Sequence, residues 1–398
     1  MDEETEVQPR LLAAHEHHQH WFLLQDAARF TAEIGAWLAG EGVAYDPVML
    51  TRGAAAPLDQ PPADDEGRLL PGWYPRRIVW EGAQGWVEWC FVGDTPLTDP
   101  FYEQTLNRCA AAPFNRLLRL RSPLDTLPNL LPASTGCTPS GFVFHLSRCG
   151  STWLTQMLAA LPDCRVLSEP QPIDDVLRSH FRNPAMTPER RIQALQTLIA
   201  LWGPRQHLEE QHWIVKFDAW AALDLPLIRR AFPDVPWVFL YRDPGEVLAS
   251  HRRQPGMHMA PGVIDPPWFG LSGAMVQKMS PAEYGAWVLG RIIRSVLRFH
   301  PLESRRLLHY RELPTAGWAR VLPKFGIEVD DTRIAAMQAT ASRHAKRPYE
   351  AFTEDGPAKR AEITADDRTH LVRWTDPFYQ ALEGARHSGD LMLQRGVE

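Results

Sequence analysis

Phe142–Leu154 reads FVFHLSRCGSTWL. An apolar run typical of a buried strand gives way to Ser-Arg-Cys-Gly-Ser-Thr, and a helical pattern follows. A strand that turns tightly into a helix points several backbone N–H groups into one concavity. The helix N-terminus adds partial positive charge, and such a nest binds phosphate. Gly150 permits close backbone approach. Ser151 and Thr152 bring hydroxyls and can also cap the helix. Arg148 supplies a permanent, forked cation. The loop of nucleotide hydrolases reads G-x-x-x-x-G-K-[ST]. Here Arg148 stands before the turn, and Trp153 follows where no Lys is present. The bland alternative is an ordinary capped helix after a core strand.

Outward from this stretch, strands and helices alternate. RVLSE is a short strand with helical segments after it to about Trp202. WIVKF is a strand, with a helix near Leu223 to Phe232. PWVFLY is a strand, with a helix from Pro244 to Arg253. A long helix, Pro281 to Phe299, precedes the last strand, RLLHY. This alternation predicts an α/β fold, a P-loop-like parallel sheet flanked by helices with right-handed crossovers. Ligands of such sheets bind at the carboxyl ends of the strands. The polar residues just past those ends are Arg148, Glu169, Lys216 and Arg242.

At this point SRCGSTW resembles the 5′-phosphosulfate loop of bacterial-type sulfotransferases that use 3′-phosphoadenosine 5′-phosphosulfate (PAPS). The second motif is RDPGEVLASHRR, with Arg242 and Ser250 eight positions apart. Asp243 can cap the helix, Pro244 suits its first turn, and Ser250 lies on the same face two turns on. The resemblance implies that Arg242 and Ser250 grip the donor's 3′-phosphate. It also implies that Arg148, Cys149, Gly150, Ser151, Thr152 and Trp153 hold the nucleotide, with Trp153 near the adenine. Glu169, in RVLSEPQP, resembles the general base of tyrosylprotein and some bacterial sulfotransferases. An attacking hydroxyl or amine must lose a proton. Lys216, in WIVKFDAW, would stabilise charge on the leaving phosphate. LLHYREL is a partial, structural match. The resemblance covers about 135 to 330 in scattered motifs and implies no metal; spent donor would leave as 3′,5′-adenosine bisphosphate (PAP).

Softer candidates for the acceptor side are His145, Asp218, His251, His258, Trp268 and Phe269. His145 reads best as a core residue, and His251 and His258 as surface residues. HRRQPGMHMAPGVIDPPWFGLSG is either a lid over the acceptor or surface wrapping. Cys149 has no evident chemical role. Two other functions stay open: a kinase or nucleotide hydrolase of the wider P-loop type, and an inactive sulfotransferase fold that only binds nucleotide.

Residues 1–130 read as an N-terminal α+β extension. It comprises a helix from Leu11 to Leu38 carrying the cluster HEHHQHW, a loop AAAPLDQPPADDEGRLLPG, a hairpin RRIVWEGAQGWVEWCFVG, and a helical stretch interrupted at Pro113. PNLLPASTGCTPSG reads as a linker, residues 131–330 as the donor-binding core, and 331–398 as an extension packed on it. The extensions are expected to wall the acceptor pocket. The formal net charge of −6 disfavours a nucleic-acid partner. Five cysteines without a CxxC pair indicate neither a disulfide framework nor a zinc site. The acidic N-terminus and the lack of a long apolar run point to the cytoplasm rather than a membrane. The acceptor is expected to be a hydroxyl or amine of a small-molecule or peptide-like compound, free or tethered to a carrier, in specialised metabolism.

Overall fold

The computed structural model describes residues 4–51, 55–131, 138–299 and 302–387. Contacts divide the chain into two units. One joins residues 1–138 with 169–210, and the other joins 139–168 with 211–398.

In the first unit the single helix expected over Leu11–Leu38 is broken. It comprises Glu4–Ala13, a 3-10 turn His15–His17, then His18–Leu23 and Ala27–Gly40. Asp26 starts the last of these, accepting the Arg29 N–H at 2.8 Å. His18 explains the earlier break. Its ring is buried, with Nε2 bonded to the Leu11 carbonyl at 2.8 Å. Its Nδ1 accepts the indole N–H of Trp73 at 3.3 Å. Trp73, Phe91 and Phe114 pack around it. The His cluster thus contributes a core residue, and among the described residues no group of three or more His, Cys, Asp or Glu could hold a metal.

Strands β1 (Trp73–Glu81) and β2 (Gln84–Phe91) form the antiparallel hairpin, joined through Gly82 at φ +59°, and β3 (Arg121–Pro123) adds to β2. The helical stretch is Tyr102–Ala110 and Pro113–Leu117. Pro113 opens the second helix, where its missing N–H costs nothing. The expected linker begins as a 3-10 helix, Leu124–Leu130; residues 132–137, with Cys137, lie outside the described residues. Helices Gln171–Arg178 and Pro188–Trp202 group with this unit. Asp175 in the first of them accepts the Ile78 N–H at 2.7 Å.

The second unit is built on five parallel strands: β4 (Gly141–His145), β5 (Cys164–Ser168), β6 (His212–Lys216), β7 (Trp237–Tyr241) and β8 (Leu307–His309). Their spatial order is β5-β6-β4-β7-β8. The strands are near-continuous apolar runs because helices cover both faces of such a sheet. Phe144 and Phe217 stack at 4.7 Å within this core. The helices that matter for the site are Ser151–Ala159, Pro244–Arg253 and Pro281–Leu297. The Pro- and Gly-rich stretch after Arg253 carries two 3-10 turns, Met257–Met259 and Pro266–Phe269. Beyond helix Asp331–Ala341, β9 (Arg343–His344) pairs with β10 (Arg347–Ala351), and three more helices follow, Gly356–Ala361, Ala365–Trp374 and Asp376–His387. Among the described residues no helix is long and apolar enough to cross a membrane.

Two groups of the first unit titrate with opposite effect. Burial lowers the His18 pKa from 6.5 to about 4, so between those values the unfolded chain binds a proton that the folded chain excludes. Stability therefore falls on acidification. Burial raises the Asp175 carboxyl to about 6. Its contribution is present at low pH and is lost as pH rises through that value. Asp175→Asn removes the opposing contribution. The urea midpoint of this variant should fall more steeply than that of the parent between pH 6.5 and about 4. An equal or shallower fall would contradict the assignment.

Candidate functional site

The winding of the parallel sheet reverses at β4. From β4 the chain runs to β5 at the sheet edge, returns to β6 beside β4, and then crosses to β7 on the other side. The crevice at the carboxyl ends of strands at such a reversal is where open α/β sheets take ligands. Here β4 delivers the loop Leu146–Gly150, β6 delivers Lys216, and β7 delivers Arg242. Ladder pairing of Val143 with Lys216, and of His145 with Leu240, fixes their relative heights.

The loop is strained. Ser147 has φ +72°, Arg148 φ +48° and Gly150 φ +87°. A non-glycine residue in this region costs about 1–3 kcal/mol and persists only where its surroundings hold it. Three contacts hold it here. The Ser147 N–H donates to His145 Nδ1 at 3.0 Å. Ser147 Oγ lies 3.1 Å from His251 Nε2. The Arg148 guanidinium donates to the Gln254 carbonyl at 2.5 Å. His251 Nδ1 accepts the Gly256 N–H at 3.1 Å, so the neutral ring carries its proton on Nε2 and donates it to Ser147. Burial holds the His251 pKa down to about 2, which keeps the ring neutral. The phosphate-loop candidate is thus tied to the end of helix Pro244–Arg253, which carries Ser250.

Gly150 is indispensable in two ways. Its φ is left-handed, and a Cβ there would lie 2.9 Å from the Tyr310 ring. It also occupies the N-cap of helix Ser151–Ala159, and no side chain caps that helix. The expected capping by Ser151 or Thr152 is therefore absent; they lie one and two positions past the N-cap, inside the helix. Thr152 instead accepts from Lys216 Nζ at 3.3 Å. Lys216 is fully buried. A strand-end lysine at 0 % exposure is not a surface residue, and its charge is directed at the first turn of the loop helix.

Cys149 points the other way. Its side chain is in the core, with Sγ 3.2 Å from the Leu240 carbonyl, and burial pushes the thiol up to about 11. Only its backbone is available to a ligand. Glu169 follows Ser168, the ladder partner of Lys216, and is itself left-handed at φ +53°.

Arg242 is 3 % exposed. Its Nε donates to Glu246 at 2.5 Å and its Nη2 to Asp355 at 2.7 Å. Its guanidinium lies 4.1 Å from the centre of the Tyr310 ring. Asp243 caps the following helix through the Glu246 N–H at 3.0 Å. Trp153 stacks on Phe352 with ring centres 4.2 Å apart and planes 8° apart. The two line a cavity of about 740 Å³ with Tyr310, Leu313 and Trp318.

The softer candidates separate. His145 is buried and supports the loop. His251 and His258 are buried, not on the surface as expected. Their rings pair edge to face at 5.1 Å, and His258 lies 5.2 Å from Trp220. Trp268 and Phe269 are buried too, and the Phe269 carbonyl accepts the indole N–H of Trp287 at 2.9 Å in the helix Pro281–Leu297. Asp218 sits at the start of the 3-10 turn Ala219–Asp224. Sequence reasoning missed Ser147, Tyr310, Phe352 and Asp355. Tyr310 stands in LLHYREL, but nothing in the pattern near Phe352 marks it.

Cys149 and Gly150 should therefore fail differently. Cys149→Ala removes core contacts and should cost about 1–2 kcal/mol of stability while leaving the affinity of the loop for a phosphate anion unchanged. Gly150→Ala should weaken phosphate binding at the loop by at least about tenfold. Urea unfolding and calorimetric titration of both variants check this; equal binding loss in the two would contradict it.

The sequence profile of the sulfotransferase family matches residues 139–259. That segment runs from β4 through the loop, Lys216, Arg242 and Ser250. No curated protein matches the chain. Among solved structures it is similar to the sulfotransferase STF1 of Mycobacterium tuberculosis, at 15% identity and TM-score 0.31 over 51% of this chain and 72% of that one. It is similar to the sulfotransferase domain of the curacin biosynthetic pathway, at 15% identity and TM-score 0.33 over 66% and 94%. A third is STF9 of Mycobacterium avium, at 13% identity and TM-score 0.36 over 65% and 79%. Residues 139–259, which build the loop and its crevice, are therefore similar to the sulfotransferase family.

Proposed function

We propose that this chain is a PAPS-dependent sulfotransferase acting on a hydroxyl or amine of a small or carrier-tethered acceptor. The observation that carries the reading is the crevice at the β4 reversal, where a helix without a side-chain cap meets a buried lysine bonded to its first turn. Such a helix start favours an anion. Arg148, Lys216, Thr152 and the loop N–H groups would hold the phosphosulfate. Arg242 and Ser250 would take the 3′-phosphate, and Trp153 would lie beside the adenine.

In the reaction the acceptor oxygen or nitrogen forms a bond to sulfur as the bond from sulfur to the bridging phosphate oxygen breaks. Glu169 takes the acceptor's proton, and PAP leaves with its new charge beside Lys216. Preorganised cations at developing charge are the largest usual contribution to catalysis. A triphosphate hydrolase would instead call for a lysine after the loop glycine, where Gly150 is followed by Ser151.

Two experiments test this. Lys216→Ala should lower kcat by about 100-fold or more with a smaller change in donor KM, and Glu169→Gln should lower it by at least about 100-fold. Sulfonation of an acceptor panel from PAPS measures both, and parent-like turnover in Glu169→Gln would remove that residue as the base. In thermal-shift assays PAP should stabilise the protein more than ADP, and Arg242→Ala should abolish the difference. Equal shifts from PAP and ADP in the parent would contradict the donor assignment.

A further inference from the structure

Four consecutive residues after β10, Phe352–Asp355, reach both ends of the proposed donor site. Phe352 lies flat on Trp153 at 4.2 Å. Asp355 places a carboxylate oxygen 2.7 Å from Arg242 Nη2. The same carboxylate is 2.6 Å from Lys359 Nζ. Arg242 and Lys359 are almost fully buried, while the Asp355 side chain is 42 % exposed. The acid is therefore the accessible member of the cluster. Glu246, by contrast, is buried between Arg242 and Arg360. Arg242, Lys359 and the exposed Arg360 face Glu246 and Asp355, so each of the two buried cations has a carboxylate partner.

We propose that Asp355 is a placeholder anion: its carboxylate holds the Arg242–Lys359 site until a nucleotide 3′-phosphate replaces it. This rests on the donor reading above and adds to it an internal competitor that weakens 3′-phosphate binding and eases its release. A nucleotide with a 3′-phosphate brings a dianion that exchanges with the Asp355 carboxylate, and both buried cations stay paired. A nucleotide with a bare 3′-hydroxyl brings nothing to exchange, so Asp355 stays on Arg242. Because Phe352 and Asp355 belong to one short stretch, the same exchange shifts the ring that covers Trp153. Against the opposing effect of burial, Lys359 and Arg242 hold the Asp355 carboxyl below its ordinary value, which fits a carboxylate that is ionised where it sits.

The test is calorimetric titration of the parent, Asp355→Asn and Asp355→Glu with PAP and with ADP. Asp355→Asn keeps the shape but removes the competing charge. It should bind PAP about tenfold more tightly than the parent and bind ADP within about twofold. Asp355→Glu should stay near the parent for both. PAP binding to Asp355→Asn that is equal to or weaker than in the parent would overturn the proposal. Failure of the underlying donor reading is distinct: the parent itself would bind PAP no better than ADP. Hydrogen exchange of the parent gives a second readout that needs no variant. Protection of peptides covering residues 352–361 should change on saturation with PAP and not with ADP; an identical response to both would also overturn it.

Discussion

The turn that leaves β4 is the constraint on which the rest of the site depends. Ser147, Arg148 and Gly150 all take left-handed backbone conformations, and a free chain would not adopt them at two non-glycine positions in a row. The turn persists because the protein supplies a bond for each departure. His145 takes the Ser147 N–H, His251 holds the Ser147 hydroxyl, and the Gln254 carbonyl takes the Arg148 guanidinium. Gly150 then sits against the Tyr310 ring at a distance that no Cβ tolerates. The loop that nests an anion is thus determined by residues spread over more than 160 positions of sequence.

The same contacts join the two halves of the proposed donor site. His251 and Gln254 lie at the end of the helix that begins just after Arg242. An anion at the loop and an anion near Arg242 would therefore sit on elements tied together by side-chain hydrogen bonds. Tyr310 adds a second connection, since its ring touches both the Gly150 position and the Arg242 guanidinium. Local electrostatics follow from burial. Lys216 and Arg242 are removed from water, so each is placed against hydrogen-bond acceptors, and each would gain from a ligand anion more than an exposed cation would.

Much of this was legible in the sequence. Apolar runs bounded by Pro, Gly and Asp located the five parallel strands, and RDPGEVLASHRR carried a proline at the first helical turn and an aspartate before it, which the structure uses as expected. The helix over Leu11–Leu38 was misread because periodicity does not show that a histidine ring will close on a carbonyl and an indole from a distant strand. Cys149 could not be placed, because which way a side chain points from a strained turn is set by φ values that no pattern records. His251 and His258 looked like surface residues, since helix-end polarity is visible in sequence and the packing of a Pro-rich stretch over it is not. Asp355 and Phe352 were invisible for the same reason: their partners lie more than a hundred residues earlier.

The most direct measurement is a crystal structure of the protein with PAP bound. The 5′-phosphate should lie within hydrogen-bond distance of the loop N–H groups and Lys216, the 3′-phosphate on Arg242, and the Asp355 carboxylate should be withdrawn from it. A nucleotide bound elsewhere, or one whose 5′-phosphate does not touch the loop after β4, would contradict it.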